Sequence, residues 1–241
     1  MSNQYDLREK VAVITGGAGG LGRAVSAAFA EAGATVVVVE RAGPTTDAFV
    51  AEAAARGHRI SHIAADVLDE TSIASMVADV LARHGRLDVL VNLVGGFAAG
   101  QPVTELDLAV WERLQDLNVR SAFLVSKHAA RPMIQQRAGR ILNISSRGAR
   151  SGRKNAAAYA VAKGAIITLT EVQAEELRDH GITVNCILPS IIDTPANRRD
   201  MPNADFARWP KPEEVARVLL FLASDDARLI NGAAIPVYGL A

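Results

Sequence analysis

The chain has 241 residues, 49% of them hydrophobic, and a formal net charge of zero. This length and composition suffice for one sizeable buried core, which predicts a single domain over residues 1–241. The basic residues are spread along the chain. That distribution argues against the positive patch of a nucleic-acid-binding protein and favours a small-molecule substrate.

Other features exclude further classes of protein. The segment Met1–Lys10 is polar and charged, so we expect no signal peptide, and no apolar run approaches the ~18 residues that span a bilayer. We therefore expect a cytoplasmic protein with no membrane partner. The single cysteine, Cys186, lies in an apolar strand pattern that favours a buried structural thiol. The histidines form no ligand constellation, so no catalytic metal is expected: His58, His62, His84, His128 and His180.

A glycine-rich turn follows the first predicted strand, Val11–Thr15. It reads Gly16-Gly17-Ala18-Gly19-Gly20-Leu21-Gly22 and leads into a helical pattern that runs to Ala32. In this context a backbone can approach a pyrophosphate closely, because the helix N-terminus offers unpaired N–H groups. The alternative is a loop that only turns the chain. We favour dinucleotide binding and predict contacts from Gly16, Gly20, Leu21 and Gly22.

The second predicted strand, Thr35–Val39, ends at an acidic residue. Glu40 stands eighteen residues past Gly22, where a carboxylate can accept hydrogen bonds from an adenosine ribose and would repel a 2′-phosphate. This favours NAD over NADP as the cofactor. Arg41 is the counter-argument, because a guanidinium group there could pair with a 2′-phosphate.

Strands and helices alternate from this point, which predicts an α/β fold with a doubly wound parallel sheet and helices on both faces. Ligands of such sheets bind beyond the carboxyl ends of the strands, where Asp66, Val67 and Asn92 fall. Asp66 could bond to an adenine amino group or could only cap the next helix. The elements predicted here are helices over Pro44–Gly57 and Glu70–His84 and strands over Arg59–Ala64 and Leu87–Asn92.

The second half continues the alternation. A long helical pattern contains Asn118, a poor interior helix residue whose presence suggests a specific role. The polar segment Asp193–Pro210 lacks periodicity and is long enough to be a lid over the site. The regular elements predicted here are helices over Leu106–Met133 and Lys211–Ala223 and strands over Arg140–Ile144, Ile182–Leu188 and Ala233–Tyr238.

Tyr159 and Lys163 are four residues apart on a predicted helix and therefore share one face. A free tyrosine has a pKa of about 10, and lowering it to near neutrality requires about 4 kcal/mol. A lysine charge at about 4 Å supplies roughly that much at an effective dielectric of about 20. The pair therefore predicts a tyrosine that exchanges protons at neutral pH. Ser146, at a strand end, can supply a second hydrogen bond to a substrate oxygen.

Thr15-Gly16-x-x-x-Gly20-x-Gly22, Asn118, Ser146 and the Tyr159/Lys163 pair together resemble the classical short-chain dehydrogenase/reductase family over nearly the full chain. The resemblance implies a Rossmann-type sheet of about seven strands and an alcohol–carbonyl oxidoreductase. It implies that Tyr159 is the acid/base, that Lys163 holds the nicotinamide ribose and lowers the tyrosine pKa, and that Asn118 anchors a relay water. Further cofactor contacts are implied for Pro189, Ile192 and Thr194.

The chain departs from the family pattern at three places, which read Asn92-Leu93-Val94-Gly95, Pro189-Ser190 and Tyr238-Gly239-Leu240. Val94 is bulkier than the usual alanine beside the expected ribose. Gly19 stands where NADP-using relatives often carry a basic residue, which supports NAD. By resemblance we expect a homotetramer or homodimer, formed through the helices that carry Asn118 and Tyr159.

Two alternatives stay open beside the NAD(H)-dependent dehydrogenase. Residues 188–209 resemble the corresponding segment of dihydropteridine reductase, which would imply an NADH-dependent pterin reductase. The other alternative is a non-catalytic dinucleotide sensor. The presence of Ser146 and Tyr159 at the positions of the catalytic residues argues against it, because a sensor does not need them. On the substrate side, Arg147, Arg150, Arg153 and Lys154 crowd one loop, and we hypothesise that some of these arginines bind an anionic substrate group.

Overall fold

The computed structural model describes residues 5–240, which form one seven-stranded sheet with helices on both faces. All neighbouring strands are parallel, in the order β3-β2-β1-β4-β5-β6-β7. The predicted Rossmann-type fold is confirmed. The strands are β1 (Val11–Thr15), β2 (Thr35–Glu40), β3 (Ile60–Ala64), β4 (Val89–Asn92), β5 (Gly139–Ile144), β6 (Ile182–Pro189) and β7 (Ala234–Val237).

The central strands are buried because both faces of the sheet are covered. β1, β4 and β6 are buried at every position, as expected for a parallel sheet between two helical layers. One large core cluster contains Phe29, Leu142 and Leu219, a second large cluster contains Ile73, Met133 and Ile141, and a third, smaller one is formed around Ile166. Successive residues of one strand therefore pack into opposite layers, as Ile141 and Leu142 of β5 show.

The helices agree with the predicted elements within a few residues at most ends. The segment predicted as one helix over Leu106–Met133 is the main exception. The helices are α1 (Gly22–Glu31), α2 (Pro44–Ala55), α3 (Glu70–His84), α4 (Leu108–Gln115), α5 (Ser121–Gln136), α6 (Ala157–Leu177), α7 (Pro195–Asp200) and α8 (Pro212–Ala223).

The predicted helix over Leu106–Met133 is two helices, α4 and α5, joined by a π-helical turn over Asp116–Arg120. The buried Asn118 lies within this turn and donates to the carbonyl oxygen of Leu114 over 2.9 Å. Such a turn widens the helix locally, and π-turns are frequent at functional sites. The chain is helical without a break from Leu108 to Gln136, as the pattern predicts, but the π-helical turn within this stretch was not predicted.

The segment predicted as an aperiodic lid contains α7 and is tied together internally. Thr194 caps α7, accepting from the backbone N–H of Asn197 over 3.3 Å, and Pro195 occupies the first helical position. Asp193 and Arg198 form a two-pronged ion pair at 2.5 and 2.7 Å. The arginine stacks on Phe206, which contacts the buried Trp209. The segment is therefore structured, and its role as a lid stays a prediction.

Within residues 5–240, no helix combines the length and the apolar character needed to cross a membrane.

Candidate active site

The glycine-rich turn between β1 and α1 is packed too closely for side chains at two positions. Gly16 has a φ of +69°, and a Cβ atom there would lie 3.1 Å from the backbone nitrogen of Val94. A Cβ atom on Gly22 would overlap the carbonyl oxygen of Gly16. The first turn of α1 can therefore fold back onto the loop only without these side chains. This cradle fits the pyrophosphate of a dinucleotide at a helix N-terminus.

A cavity of about 520 Å³ lies beyond the carboxyl ends of β2 and β3, and it contains three of the predicted cofactor contacts, Glu40, Asp66 and Val67. The carboxylate of Glu40 accepts from the backbone N–H of Ala18 over 3.1 Å, which joins the end of β2 to the glycine-rich turn. Four carboxylates and two guanidinium groups line the cavity, giving it a net charge of −2: Glu40, Asp66, Glu112, Asp116, Arg41 and Arg113.

Asp66 does not cap the next helix. Its Oδ1 atom accepts from the backbone N–H of Leu68 over 2.9 Å, whereas α3 is capped by Asp69, which accepts from Thr71 over 2.9 Å. The capping alternative for Asp66 was therefore wrong. Its exposed carboxylate lines the cavity instead.

The far wall of this cavity is formed by α4 and the π-helical turn. Its residues are Ala109, Glu112, Arg113, Asp116 and Leu117. The sequence did not lead us to predict that these residues belong to the site. Their spacing of three and four residues places them on one helical face, so a signal existed. That this helical face lines the cavity depends on the position of the loop after β4, which the sequence does not reveal.

Asn118 clamps the loop after β4 to the π-helical turn. Its amide group donates to the carbonyl oxygen of Gly96 over 3.1 Å and accepts from the N–H of Gly96 over 3.2 Å. A Cβ atom on Gly95 would lie 2.8 Å from Asn118 Oδ1 and 3.3 Å from Lys163 Nζ. Asn118 is therefore close to Lys163. Its side chain holds the backbone of the loop after β4 in place through the two bonds to Gly96. The relay water stays a prediction.

Asn92 turns its side chain into the interior. Its amide nitrogen donates to Ser126 Oγ over 3.0 Å and to Asn143 Oδ1 over 2.8 Å. Asn143 donates in turn to Thr170 over 3.0 Å. These contacts bind β4 to β5, α5 and α6 below the site. A cofactor contact from Asn92 stays a prediction, and it would have to come from the main chain.

Ser146 and Tyr159 lie together, as the resemblance to the family implies. Their side chains are hydrogen-bonded to each other. Ser146 follows β5, and its Oγ atom also accepts from the N–H of Gly148 over 3.1 Å, which leaves the hydroxyl hydrogen available for donation. Tyr159 lies in the first turn of α6. The two hydroxyl groups are therefore adjacent, and a substrate oxygen that replaces the bond between them could accept a hydrogen bond from each.

The pKa of Tyr159 departs from the sequence prediction. Burial raises it, and the hydrogen bond from Ser146 offsets part of that rise. Lys163 Nζ lies 6.0 Å from the centre of the Tyr159 ring and donates to the carbonyl oxygen of Ile144 over 2.9 Å. Burial lowers the pKa of Lys163 itself to about 8. The lysine shares the face of Tyr159, but in this structure its ammonium group serves the end of β5.

The remaining predicted contacts follow β6. Pro189 ends that strand, and the carbonyl oxygen of Ile192 accepts from Asn197 over 2.8 Å. A Cβ atom on Gly20 would lie 3.3 Å from Thr194 Cγ2, so the residue that caps α7 contacts the glycine-rich turn. The start of the predicted lid is therefore adjacent to the cradle.

The substrate side carries aromatic and basic groups. Phe97 packs edge-on against Tyr159, with ring centres 4.9 Å apart and an interplanar angle of 81°. The guanidinium group of Arg147 lies 5.4 Å from the ring centre of Tyr238. Arg150, Arg153 and Lys154 are exposed on the same loop. Across residues 5–240, no group of three or more His, Cys, Asp or Glu side chains is arranged to hold a metal ion.

Comparisons with known proteins agree with this geometry. Residues 10–205 match the family model for short chain dehydrogenases. The cis-4-hydroxycyclohexanecarboxylate dehydrogenase of Sinomonas cyclohexanicum is 38% identical over 96% of each chain. The meso-2,3-butanediol dehydrogenase of Serratia marcescens is also 38% identical, over 95% of this chain and 93% of its own. A short-chain type dehydrogenase/reductase structure from Mycobacterium ulcerans superposes with a TM-score of 0.93 at 33% identity, covering 98% of this chain and 90% of its own. The chain is a member of the short-chain dehydrogenase/reductase family of oxidoreductases.

Proposed function

We propose that this enzyme uses NAD(H) to interconvert an alcohol and a ketone or aldehyde on a small molecule. The proposal is carried by the hydrogen-bonded pair of Ser146 and Tyr159, with Lys163 on the same helical face. Two hydroxyl groups that converge on one point suit a reaction in which a carbonyl oxygen gains a proton as it becomes an alcohol. The bound nicotinamide would supply or accept the hydride.

Each residue has a separate role in this proposal. Tyr159 gives a proton to the substrate oxygen or takes it back, and Ser146 donates a hydrogen bond to the same oxygen. Lys163 would hold the nicotinamide ribose. Asn118 fixes the loop after β4 through its two bonds to Gly96, which keeps the wall of the cofactor site in position.

The preference for NAD is supported by charge. A 2′-phosphate placed beside Glu40 would enter a cavity with a net charge of −2, where like charges repel in a medium less polar than water. Arg41 and Arg113 line the same cavity and would be the partners of a 2′-phosphate if the preference were reversed.

The decisive experiment is a parallel titration with NADH and NADPH, followed by turnover of carbonyl substrates with the cofactor that binds. We expect NADH to bind at least tenfold more tightly, and Glu40→Gln to narrow that difference. Glu112→Gln is the matched control, because it removes one charge from the same cavity without touching the end of β2. Tighter binding of NADPH would refute the NAD assignment.

The basic loop over residues 147–154 supports a substrate with a carboxylate or another anionic group. It carries four cationic side chains and no acidic one, and Arg147 directly follows the proposed catalytic serine. The Sinomonas relative is named for a carboxylate substrate, which agrees with this choice. Replacing Arg147, Arg150 and Arg153 by alanine should raise KM for a hydroxy acid about tenfold or more. An unchanged KM for every accepted substrate would refute it.

The same assays separate the two alternatives. Turnover of a quinonoid dihydropterin with NADH, but of no simple ketone, would favour a pterin reductase. A Tyr159→Phe variant that binds NADH normally and keeps the cellular function would favour a sensor. The cytoplasmic location and the assembly into dimers or tetramers stay predictions.

A further inference from the structure

Phe97 is an apolar side chain that the protein leaves uncovered beside its proposed catalytic tyrosine. Phe97 is 59% exposed, and the edge of its ring contacts Tyr159. Gly95 and Gly96 precede it, so no bulky neighbour on the N-terminal side shields the ring. Covering exposed apolar surface with a ligand is favourable, because it removes that surface from water.

A cavity of about 150 Å³ begins at the next residue. Ala98 and Ala99 form one wall, and Ala156 and Ala157, which lead into Tyr159, form another. The backbone N–H of Gly100 donates to the carbonyl oxygen of Asn155 over 2.8 Å, which fastens the two walls together. Most of the lining is aliphatic, with Leu106 and Val110 completing it, and no charged side chain takes part.

We propose that the substrate of this enzyme carries an apolar group next to its reacting carbonyl, and that this group packs on Phe97 and fills the alanine-lined cavity. The inference rests on the proposed dehydrogenase function and narrows its substrate class. Both walls of the cavity run directly into residues in contact at the reaction centre, Phe97 on one side and Tyr159 on the other. Because the walls are continuous in sequence with these two residues, the occupant that we assign is a group that extends from the reacting carbon.

The size of the cavity sets the size of the group. An apolar protein cavity of about 150 Å³ is large enough to hold a benzene molecule. The occupant is therefore a six-membered ring or a chain of about five or six carbons. A longer chain gains nothing further, because its end would return to water. Small alanine and glycine residues make up more than half of the lining, and Gln101 and Asn155 are its two polar side chains.

The test is a substrate series assayed on the holoenzyme with NADH: acetone, 2-butanone, 2-hexanone, 2-octanone and cyclohexanone, with the matching 3-oxo acids in parallel. We expect kcat/KM to rise about threefold for each added methylene up to about six carbons and then to level off. The rise should appear mainly in KM, because the apolar group is buried equally before and during the reaction.

Two variants locate the effect. Phe97→Ala should lower the ratio of kcat/KM for 2-hexanone to that for acetone about tenfold, and Ala99→Phe, which fills the cavity, should lower it as well. Leu229→Ala is the control, because Leu229 is 85% exposed and lies outside this cavity. NADH affinity should be the same in all three proteins.

The outcomes separate the two proposals. Turnover that is independent of chain length, or a ratio that neither variant changes, would overturn the apolar subsite and leave the dehydrogenase intact. Failure to turn over any carbonyl compound while NADH binds would instead contradict the proposed function.

Discussion

The ammonium group of Lys163 donates a hydrogen bond to the carbonyl oxygen of Ile144, with 2.9 Å between the two atoms. The lysine thereby ties α6 to the end of β5, two residues before Ser146. Burial makes this charge costly and lowers the pKa of Lys163 from 10.5 to about 8. The residue that is proposed to serve the cofactor therefore destabilises the folded protein at neutral pH.

Lys163→Met should stabilise the protein at neutral pH while abolishing turnover. Because the pKa of Lys163 is lower in the folded state than in the unfolded state, the unfolded chain binds more protons, and wild-type stability rises with pH from about 8 towards 10.5. The advantage of the methionine variant should shrink by about 2.5 kcal/mol between pH 7 and pH 10. Urea unfolding at several pH values measures it. A pH-independent difference would show that Lys163 is not buried as a charged group.

Asn118→Ala should cost about 2–4 kcal/mol of stability, because it leaves both polar groups of Gly96 and the carbonyl oxygen of Leu114 without their partner. Asn118→Asp should cost more, since a buried carboxylate would face two carbonyl oxygens. Chemical denaturation measures both variants. Asn203→Ala, at an exposed position, is the control and should cost less than about 0.5 kcal/mol. Equal stability of all three variants would contradict a stabilising role for the hydrogen bonds of Asn118.

Gly22→Ala should lower NADH affinity at least tenfold, because the added methyl group would push the start of α1 away from Gly16. Gly164→Ala is a matched control within a helix. A Cβ atom there meets nothing within 4 Å, so the change should instead stabilise α6 by about 0.5–1 kcal/mol. Fluorescence titration and thermal unfolding of both variants test the pair. Normal NADH binding by Gly22→Ala would contradict the tight packing of the loop.

Cys186 should resist thiol reagents in the folded protein. Its side chain is fully buried in β6, and burial raises its pKa to about 11, so little thiolate exists at pH 8. We expect Ellman's reagent to label no thiol in native protein over an hour at pH 8 and one thiol per chain in 8 M urea. Rapid labelling of the native protein would mean that β6 opens readily.

Sequence alone determined the features that depend on local spacing. The four-residue interval between Tyr159 and Lys163 puts both on one face of a helix in any fold that keeps α6 intact. The run of apolar residues in β1 and the glycines behind it specify a strand and a tight turn wherever they occur. Period and spacing are properties of the chain itself, so the sheet and the glycine-rich turn were predicted from them, whereas the meeting of Ser146 and Tyr159 was implied by the resemblance to the family.

Only the tertiary structure decided where polar side chains point. The bond of Asn118 to Gly96 joins residues 22 apart in sequence, and that of Lys163 to Ile144 joins residues 19 apart. Such contacts follow from how elements pack, and no local pattern encodes them. For the same reason the π-helical turn, the inward direction of Asn92 and the raised pKa of Tyr159 appeared only with the fold, because burial is a property of the assembled chain and not of any one segment.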